Sequence, residues 1–199
     1  MKVQNFDSGY AWGDLSLLDR NPLAFYCSRK VPVEVAFSLE NMVRHLAENR
    51  VIIAGGWNSP MEKRMFNAAL SRDGGTVIHY LAKGITAFTS EKEYGPYVDA
   101  GRLLILSPFL TEPRITLDQA IRRDDWISRH MSRFFFGAVD PKGRLIELLQ
   151  RLTEANKEVF LLHDQWNEHC IDDDVIAVTR ENILTVLGVH DQSPTADSS

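Results

Sequence analysis

The chain has 199 residues, enough for one domain with a complete hydrophobic core. Hydrophobic residues make up 44% and charged residues 25%, which excludes disordered and fibrous proteins. The net charge of -5 argues against an extended nucleic-acid-binding surface and is compatible with a local basic patch. Two cysteines, Cys27 and Cys170, lie far apart in the sequence, so a reducing, cytoplasmic location without disulfides is predicted. Because no apolar run approaches the ~20 residues of a membrane span, no membrane contact is expected.

Six apolar runs alternate with helical patterns along the chain. Strands are expected at 23–28, 51–54, 76–81, 102–106, 134–139 and 159–162. Helices are expected at 33–49, 60–71, 116–131 and 143–155, and a longer connection with Gly and Pro occupies 84–101. Near-continuous apolar strands that alternate with helices indicate a parallel sheet that is covered on both faces. The sequence therefore predicts an α/β fold: a doubly wound, mostly parallel sheet of about six strands with helices on both faces (Rossmann-like).

The domain boundaries follow from the same pattern. Residues 1–20 show little regularity and are expected to form an N-terminal adapter, followed by the Rossmann-like domain at 21–188 and a disordered tail at 189–199. Ligands of doubly wound sheets bind at the carboxyl ends of the strands. The candidate site is therefore formed by the loops after the strands, at 28–32, 55–59, 82–86, 107–112 and 139–143.

The most informative segment is 51–70, where a β-branched run ends in Gly55 and Gly56 and an amphipathic helix follows. Ser59 and Glu62 have the spacing of a capping box, and Pro60 falls at the first helical position. Paired glycines permit close approach of a ligand, and a helix start offers free N–H groups. This pattern is typical of a phosphate or ribose-phosphate cradle and equally of an ordinary strand-to-helix turn.

Two further loops carry cations at the same predicted edge. Ser28, Arg29 and Lys30 follow the first strand, where they form either an anion-binding turn or a solvated basic turn. Lys142 follows the fifth strand and precedes a helix that contains Glu147. That glutamate either accepts ribose hydroxyls and acts in acid–base chemistry, or complements the helix dipole.

Other candidate chemistry is weaker. The charges of 122–125 suit a solvated helix face, although Arg122 or Arg123 can lean over the site from the helix before the fifth strand. His163, Asp164, His169 and Cys170 share one short segment, but their spacing matches no zinc pattern, and no metal is expected. The chain has no G-x-S-x-G, no G-x-G-x-x-G and no P-loop signature.

Together these loops resemble the superfamily that joins the DNA-processing protein Smf/DprA to the LOG-type nucleoside-monophosphate hydrolases, and they are most similar to its DprA-like branch. The resemblance rests on five segments: 24–30 (AFYCSRK), 54–62 (AGGWNSPME), 76–85 (TVIHYLAKGI), 106–109 (LSPF) and 135–149 (FFGAVDPKGRLIELL). Gly143 and Glu147 match the last glycine and the glutamate of the LOG run P-G-G-x-G-T-x-x-E. Asp140 and Pro141 stand where that run has paired glycines, and Arg144 replaces its threonine.

The resemblance implies a domain that binds a nucleotide or a nucleotide-derived ligand, with no other cofactor. The binding residues that it implies are Ser28, Arg29, Lys30, Gly55, Gly56, Trp57, Asn58, Ser59, Glu62, Lys142 and Gly143. An enzymatic alternative is N-glycosidic hydrolysis of a nucleoside monophosphate, with Glu147 and Arg123 as catalytic residues. A second alternative is a DNA-processing protein that binds single-stranded DNA along Arg29, Lys30 and Lys142, with Trp57 stacked on a base. A small sheet need not bury all of Phe134, Phe135, Phe136, Trp126 and Trp166, so these aromatic residues either contribute to a homodimer interface or fill the core.

Overall fold

A computed structural model describes residues 2–88 and 91–189 of the chain. Nine strands are present among them: β1 (Gln4–Phe6), β2 (Gly9–Trp12), β3 (Leu23–Tyr26), β4 (Ile53–Gly55), β5 (Val77–Tyr80), β6 (Leu103–Ser107), β7 (Arg133–Phe136), β8 (Glu158–Leu162) and β9 (Ile176–Val178). The helices are α1 (Val33–Glu48), α2 (Pro60–Leu70), α3 (Glu91–Asp99), α4 (Leu117–His130), α5 (Leu145–Glu154) and α6 (Ile183–Val186). The expected tail at 189–199 lies, beyond Val189, outside the described residues.

The nine strands form one sheet in the order β1-β2-β6-β5-β4-β3-β7-β8-β9. Counted along the sheet, every neighbouring pair from β6 to β9 (β6-β5-β4-β3-β7-β8-β9) is parallel, and the β1–β2 and β2–β6 pairs are antiparallel. The chain runs outward from β3 to β6 and then returns to place β7 on the other side of β3. The predicted α/β, mostly parallel fold is confirmed, with nine strands in place of about six. Its switch point lies between β3 and β7, where a doubly wound sheet binds ligands.

Helices cover both faces of the sheet because successive side chains of each strand point to opposite sides. In β3, Leu23 and Phe25 join the core under α1, α2 and α3, whereas Ala24 and Tyr26 join the core under α4 and α5. These strands are buried on both faces, which explains why their sequences are continuous apolar runs rather than alternating ones.

Three elements depart from the expectation. Residues 2–20 contain regular structure: β1 and β2 form a hairpin whose second strand pairs with β6, through Tyr10 opposite Ser107. The connection at 84–101 contains α3, although Pro96 lies inside it and cannot donate a helical hydrogen bond. The strand β9 extends the sheet at its other edge. Among the described residues no helix has the length and apolar character that crossing a bilayer requires.

Candidate functional site

The loops after β3 and β7 meet at the switch point of the sheet. The backbone N–H of Ser28 donates to the carbonyl of Ala138 at 2.9 Å, and the Asp140 N–H donates to the Ser28 hydroxyl at 2.8 Å. Ser28 is buried, whereas Arg29 and Lys30 after it are exposed. Two loops that are 112 residues apart are therefore joined, as expected for the carboxyl ends of neighbouring parallel strands.

The Asn167 side chain holds the loop after β7 in place. Its side chain is fully buried and makes three hydrogen bonds with backbone groups. The amide nitrogen donates to the carbonyls of Gly137 at 3.1 Å and Leu162 at 2.9 Å, and the oxygen accepts from Val139 N–H at 3.0 Å. This one side chain therefore ties the end of β7 to the end of β8. A single asparagine in a polar segment gives no signal of burial, so the sequence does not predict this role for Asn167.

The amides at the start of α2 already hold an anionic group. The Glu62 carboxylate accepts from the N–H groups of Asn58 and Ser59, both at 3.0 Å, and the Ser59 hydroxyl accepts from Glu62 N–H at 3.1 Å. The predicted capping box is thus present with both of its bonds. Burial raises the pKa of Glu62, and the hydrogen bond from Ser59 opposes that rise. Asn58 and Ser59 consequently offer these N–H groups to a side chain of the same chain.

Arg123 occupies the space beside Gly56. A Cβ atom on Gly56 would lie 2.5 Å from the Arg123 guanidinium carbon, so any side chain there would have to displace that guanidinium. Arg123 is 7% exposed, and its Nε and Nη2 donate to one carboxylate oxygen of Asp124 at 3.0 and 2.7 Å. Its Nη1 is buried without a partner among the described residues. The close approach of a ligand that the paired glycines predict is blocked on this side, because the guanidinium lies there.

Several buried polar groups surround that guanidinium. Tyr26 packs on the same face of the sheet as Trp126 and Ile127 of α4, the helix that carries Arg123. The Tyr26 hydroxyl has no partner among the described residues, and burial raises its pKa well above the ordinary value. Burial also raises the pKa of Asp124, against the effect of Arg123. On the opposite face of the sheet, burial lowers the pKa of His79 to about 3, and Arg123 contributes to the shift.

Gly55 and Trp57 belong to the core rather than to an open surface. A Cβ on Gly55 would lie 3.1 Å from the Phe25 carbonyl oxygen. The Trp57 indole stacks on Phe25 with a 5.8 Å centroid distance, and its nitrogen donates to the Ile78 carbonyl at 3.1 Å. Trp57 is 3% exposed, so the predicted stacking of its side chain on a base is not available in this structure.

The loop after β7 caps itself with Asp140. The N–H of Lys142 donates to the Asp140 carboxylate at 2.9 Å, and Gly143 N–H donates to the Asp140 carbonyl at 2.8 Å. The α5 helix then begins after Arg144 without a side-chain cap. Lys142, Arg144 and Glu147 are exposed around this helix start. Cations and an uncapped helix N-terminus therefore lie together at the switch point, where a negative group is favoured.

The inward position of Arg123 had a sequence signal. It shares a helix face, at spacings of three and four, with the buried residues Trp126 and Ile127. Asp124 and Tyr26 were missed because a charged run reads as solvated and a strand tyrosine reads as core. For the residues at 2–88 and 91–189, no cluster of three or more potential metal ligands is found.

No protein-family model matches the chain, and no curated protein matches it. Solved structures are similar to it. DNA processing protein A (DprA) from Streptococcus pneumoniae has a TM-score of 0.72 and 20% identity over 89% of this chain, which spans 65% of that protein. DprA from Helicobacter pylori, described with a single-stranded DNA binding mode, has a TM-score of 0.67 and 17% identity over 96% of this chain and 89% of that one.

The molybdenum cofactor carrier protein from Chlamydomonas reinhardtii is also similar, with a TM-score of 0.55 and 16% identity over 84% of this chain and 96% of that one. DprA and a small cofactor carrier thus share one architecture with this chain. The predicted Rossmann-like fold is confirmed by these similarities, which at 20% identity or less show the fold alone.

Proposed function

We propose that the chain binds a nucleotide or a nucleotide-derived ligand at the carboxyl edge of the sheet. The observation that carries the proposal is the junction of the loops after β3 and β7 through Ser28 and Asp140. This junction brings the exposed cations Arg29 and Lys30 to the switch point at which α5 begins. A phosphate there gains both the cations and the N-terminal dipole of α5.

Calorimetric titration with AMP, ADP-ribose and NAD tests the proposal. We expect Arg29→Ala and Lys142→Ala each to weaken binding about three- to tenfold, because each removes a charged hydrogen-bond donor at an exposed site. Arg20→Ala is the matched control, since Arg20 is exposed just before β3 begins, at the opposite edge of the sheet. Gly56 is unsuited as a probe, because any side chain there displaces Arg123. Failure of all three ligands to bind, or equal losses in the three variants, would contradict the proposal.

Hydrolysis of an N-glycosidic bond is a weaker interpretation of the same edge. Arg123, the predicted phosphate-gripping arginine, is engaged with Asp124, and Glu147 is an exposed residue in the first turn of α5. Neither residue is held beside the other by a contact among the described residues. We therefore propose binding rather than hydrolysis. The few cysteines remain the basis for proposing a cytoplasmic location, and a homodimer stays a prediction.

One observation favours single-stranded DNA as a second candidate ligand. Phe37 on α1 is 62% exposed, and the Arg64 guanidinium lies 5.8 Å from its ring centroid. The adjoining groove of about 520 Å³ between α1 and α2 is lined by Arg44, Lys63 and Arg64, with Glu40 pairing to both arginines. An exposed aromatic ring among cations is typical of single-strand binding, and Phe37 supplies the stacking face that Trp57 does not.

Fluorescence anisotropy with oligo-dT tests this candidate. We expect Phe37→Ala to weaken binding at least fivefold, because stacking on one base is worth about 1–3 kcal/mol. Val33→Ala is the control: Val33 is exposed one turn earlier on α1 and has no ring. Binding should also weaken as salt rises, through release of counterions. Absence of any complex at low salt would exclude DNA as a ligand of this face.

A further inference from the structure

The glycine turn after β4 is charged in a way that does not suit a phosphate. Glu62 occupies the N–H groups of Asn58 and Ser59, which a phosphate would otherwise use. The single buried cation nearby, Arg123, is already bound to Asp124 through two of its nitrogens. The turn after β4 therefore carries two carboxyl groups, of Glu62 and Asp124, against one guanidinium. A further anion would meet a net negative neighbourhood in a poorly solvated place, which is unfavourable.

The same place has unmet hydrogen-bonding capacity of a neutral kind. Arg123 Nη1 and the Tyr26 hydroxyl are both buried without partners among the described residues. Tyr26 and Arg123 are both more than nine-tenths buried. Tyr26 lies on the face of the sheet that α4 covers, and Arg123 reaches Gly56 from α4. Unpaired buried polar groups are costly, so a ligand that supplies their partners gains affinity and selectivity. A hydroxyl or carbonyl oxygen accepts from Nη1, and a hydroxyl also pairs with a phenol.

We propose that the space beside Gly56 receives the uncharged end of the ligand, its sugar hydroxyls or its base, and that the phosphate lies at the start of α5. This assignment rests on the proposed nucleotide-binding function. It specifies which end of the ligand lies at Gly56 and which lies at the start of α5, along the carboxyl edge of the sheet. Entry requires the Arg123 side chain to rotate away from Gly56, which exposes Nη1 and the Tyr26 hydroxyl together. Glu62 then acts as a specificity-determining residue, because its carboxylate keeps a phosphate out of the α2 helix start.

Titration with the four ribonucleosides, their 5′-monophosphates and inorganic phosphate tests the direction of binding. We expect Tyr26→Phe to lower the affinity for a nucleoside and for its monophosphate by the same factor, between about two- and tenfold, as for loss of one hydrogen bond. Lys142→Ala should lower the affinity for the monophosphate and leave the affinity for the nucleoside unchanged. Inorganic phosphate should compete with the monophosphate and not with the nucleoside. In Glu62→Gln, which removes the internal anion, binding of inorganic phosphate should become tighter.

The opposite pattern would overturn the assignment. In that pattern monophosphates bind while no nucleoside does, and Tyr26→Phe lowers the affinity for the monophosphate alone. An affinity for inorganic phosphate that does not change in Glu62→Gln would overturn the assignment as well. Such a result would leave the proposed nucleotide-binding function intact. If no nucleoside or monophosphate binds, the assignment fails. If ADP-ribose and NAD also fail to bind, the proposed function fails with it.

Discussion

Replacing Asn167 with leucine should destabilise the chain by about 4 kcal/mol, the largest effect that we expect from one uncharged side chain. Leucine has a similar size but leaves three backbone groups without partners: Val139 N–H and the carbonyls of Gly137 and Leu162. A buried donor or acceptor that loses its partner costs about 1–3 kcal/mol. Urea unfolding measures the loss, as the difference in free energy of unfolding between the variant and the unmodified protein when both have the same m-value.

Asn182→Ala is the matched control for this prediction. Asn182 is exposed, and its side-chain oxygen accepts one hydrogen bond, from Thr179 N–H at 2.8 Å. Its loss should cost about 1 kcal/mol or less, as for other exposed caps. Equal losses in the two variants would mean that Asn167 does not hold the loop after β7. A ligand at the switch point should also bind less tightly to Asn167→Leu, because Asp140 and Lys142 follow the loosened segment.

Replacing Arg123 with methionine should destabilise the chain by about 3 kcal/mol at pH 7, because it leaves the Asp124 carboxylate without its buried partner. Arg123 lowers the pKa of both Asp124 and Glu62, so both values rise further in the variant. A carboxyl group whose pKa is higher in the folded than in the unfolded chain favours folding only when protonated. The stability is therefore lost as pH rises through the folded-state pKa, and the deficit of Arg123→Met should shrink as pH falls from 7 toward the ordinary carboxyl pKa of the unfolded chain.

Arg122→Met is the control for the second prediction. Arg122 is exposed, and its guanidinium lies over the Phe109 ring at 4.9 Å, an arrangement worth about 0.5–1 kcal/mol. The double variant Arg123→Met/Asp124→Asn separates charge from packing. If charge is responsible, the double variant regains stability relative to Arg123→Met. No recovery, or a deficit that does not change with pH, would show that packing of the Arg123 side chain, rather than its charge, stabilises the fold.

Six of the seven parallel strands could be predicted, because each of the six is largely buried and so forms a continuous apolar run, whereas β9 does not. The hairpin β1–β2 could not, since Gln4, Asn5 and Phe6 have no apolar pattern and become strands only by pairing. The helix α3 was hidden by Gly95 and Pro96, which are read as helix breakers. Tertiary contacts decide these three elements, and a local pattern does not contain them.

The candidate site could be located from the sequence but not described. Parallel topology places the ends of the strands at one edge, and that reasoning brought Ser28, Gly56 and Lys142 to the same edge. Which side chains fill the space at the carboxyl edge of the sheet depends on contacts that the local sequence does not specify. Glu62 turns back onto its own helix start, and Arg123 approaches Gly56 from α4, so neither contact follows from the spacing of the glycines.

The pairing of β2 with β6 has a consequence for the order in which the molecule is assembled. Ala11 pairs with Leu106, so β1 and β2 have no neighbouring strand to join until β6 has been synthesised. The indole of Trp126, which donates to Asp7 at 2.9 Å, is made later still. Pairing between segments so far apart in the sequence is slow, because the long loop between them must close first. We therefore expect β1 and β2 to dock late in folding, with their apolar side chains accessible to chaperones until then.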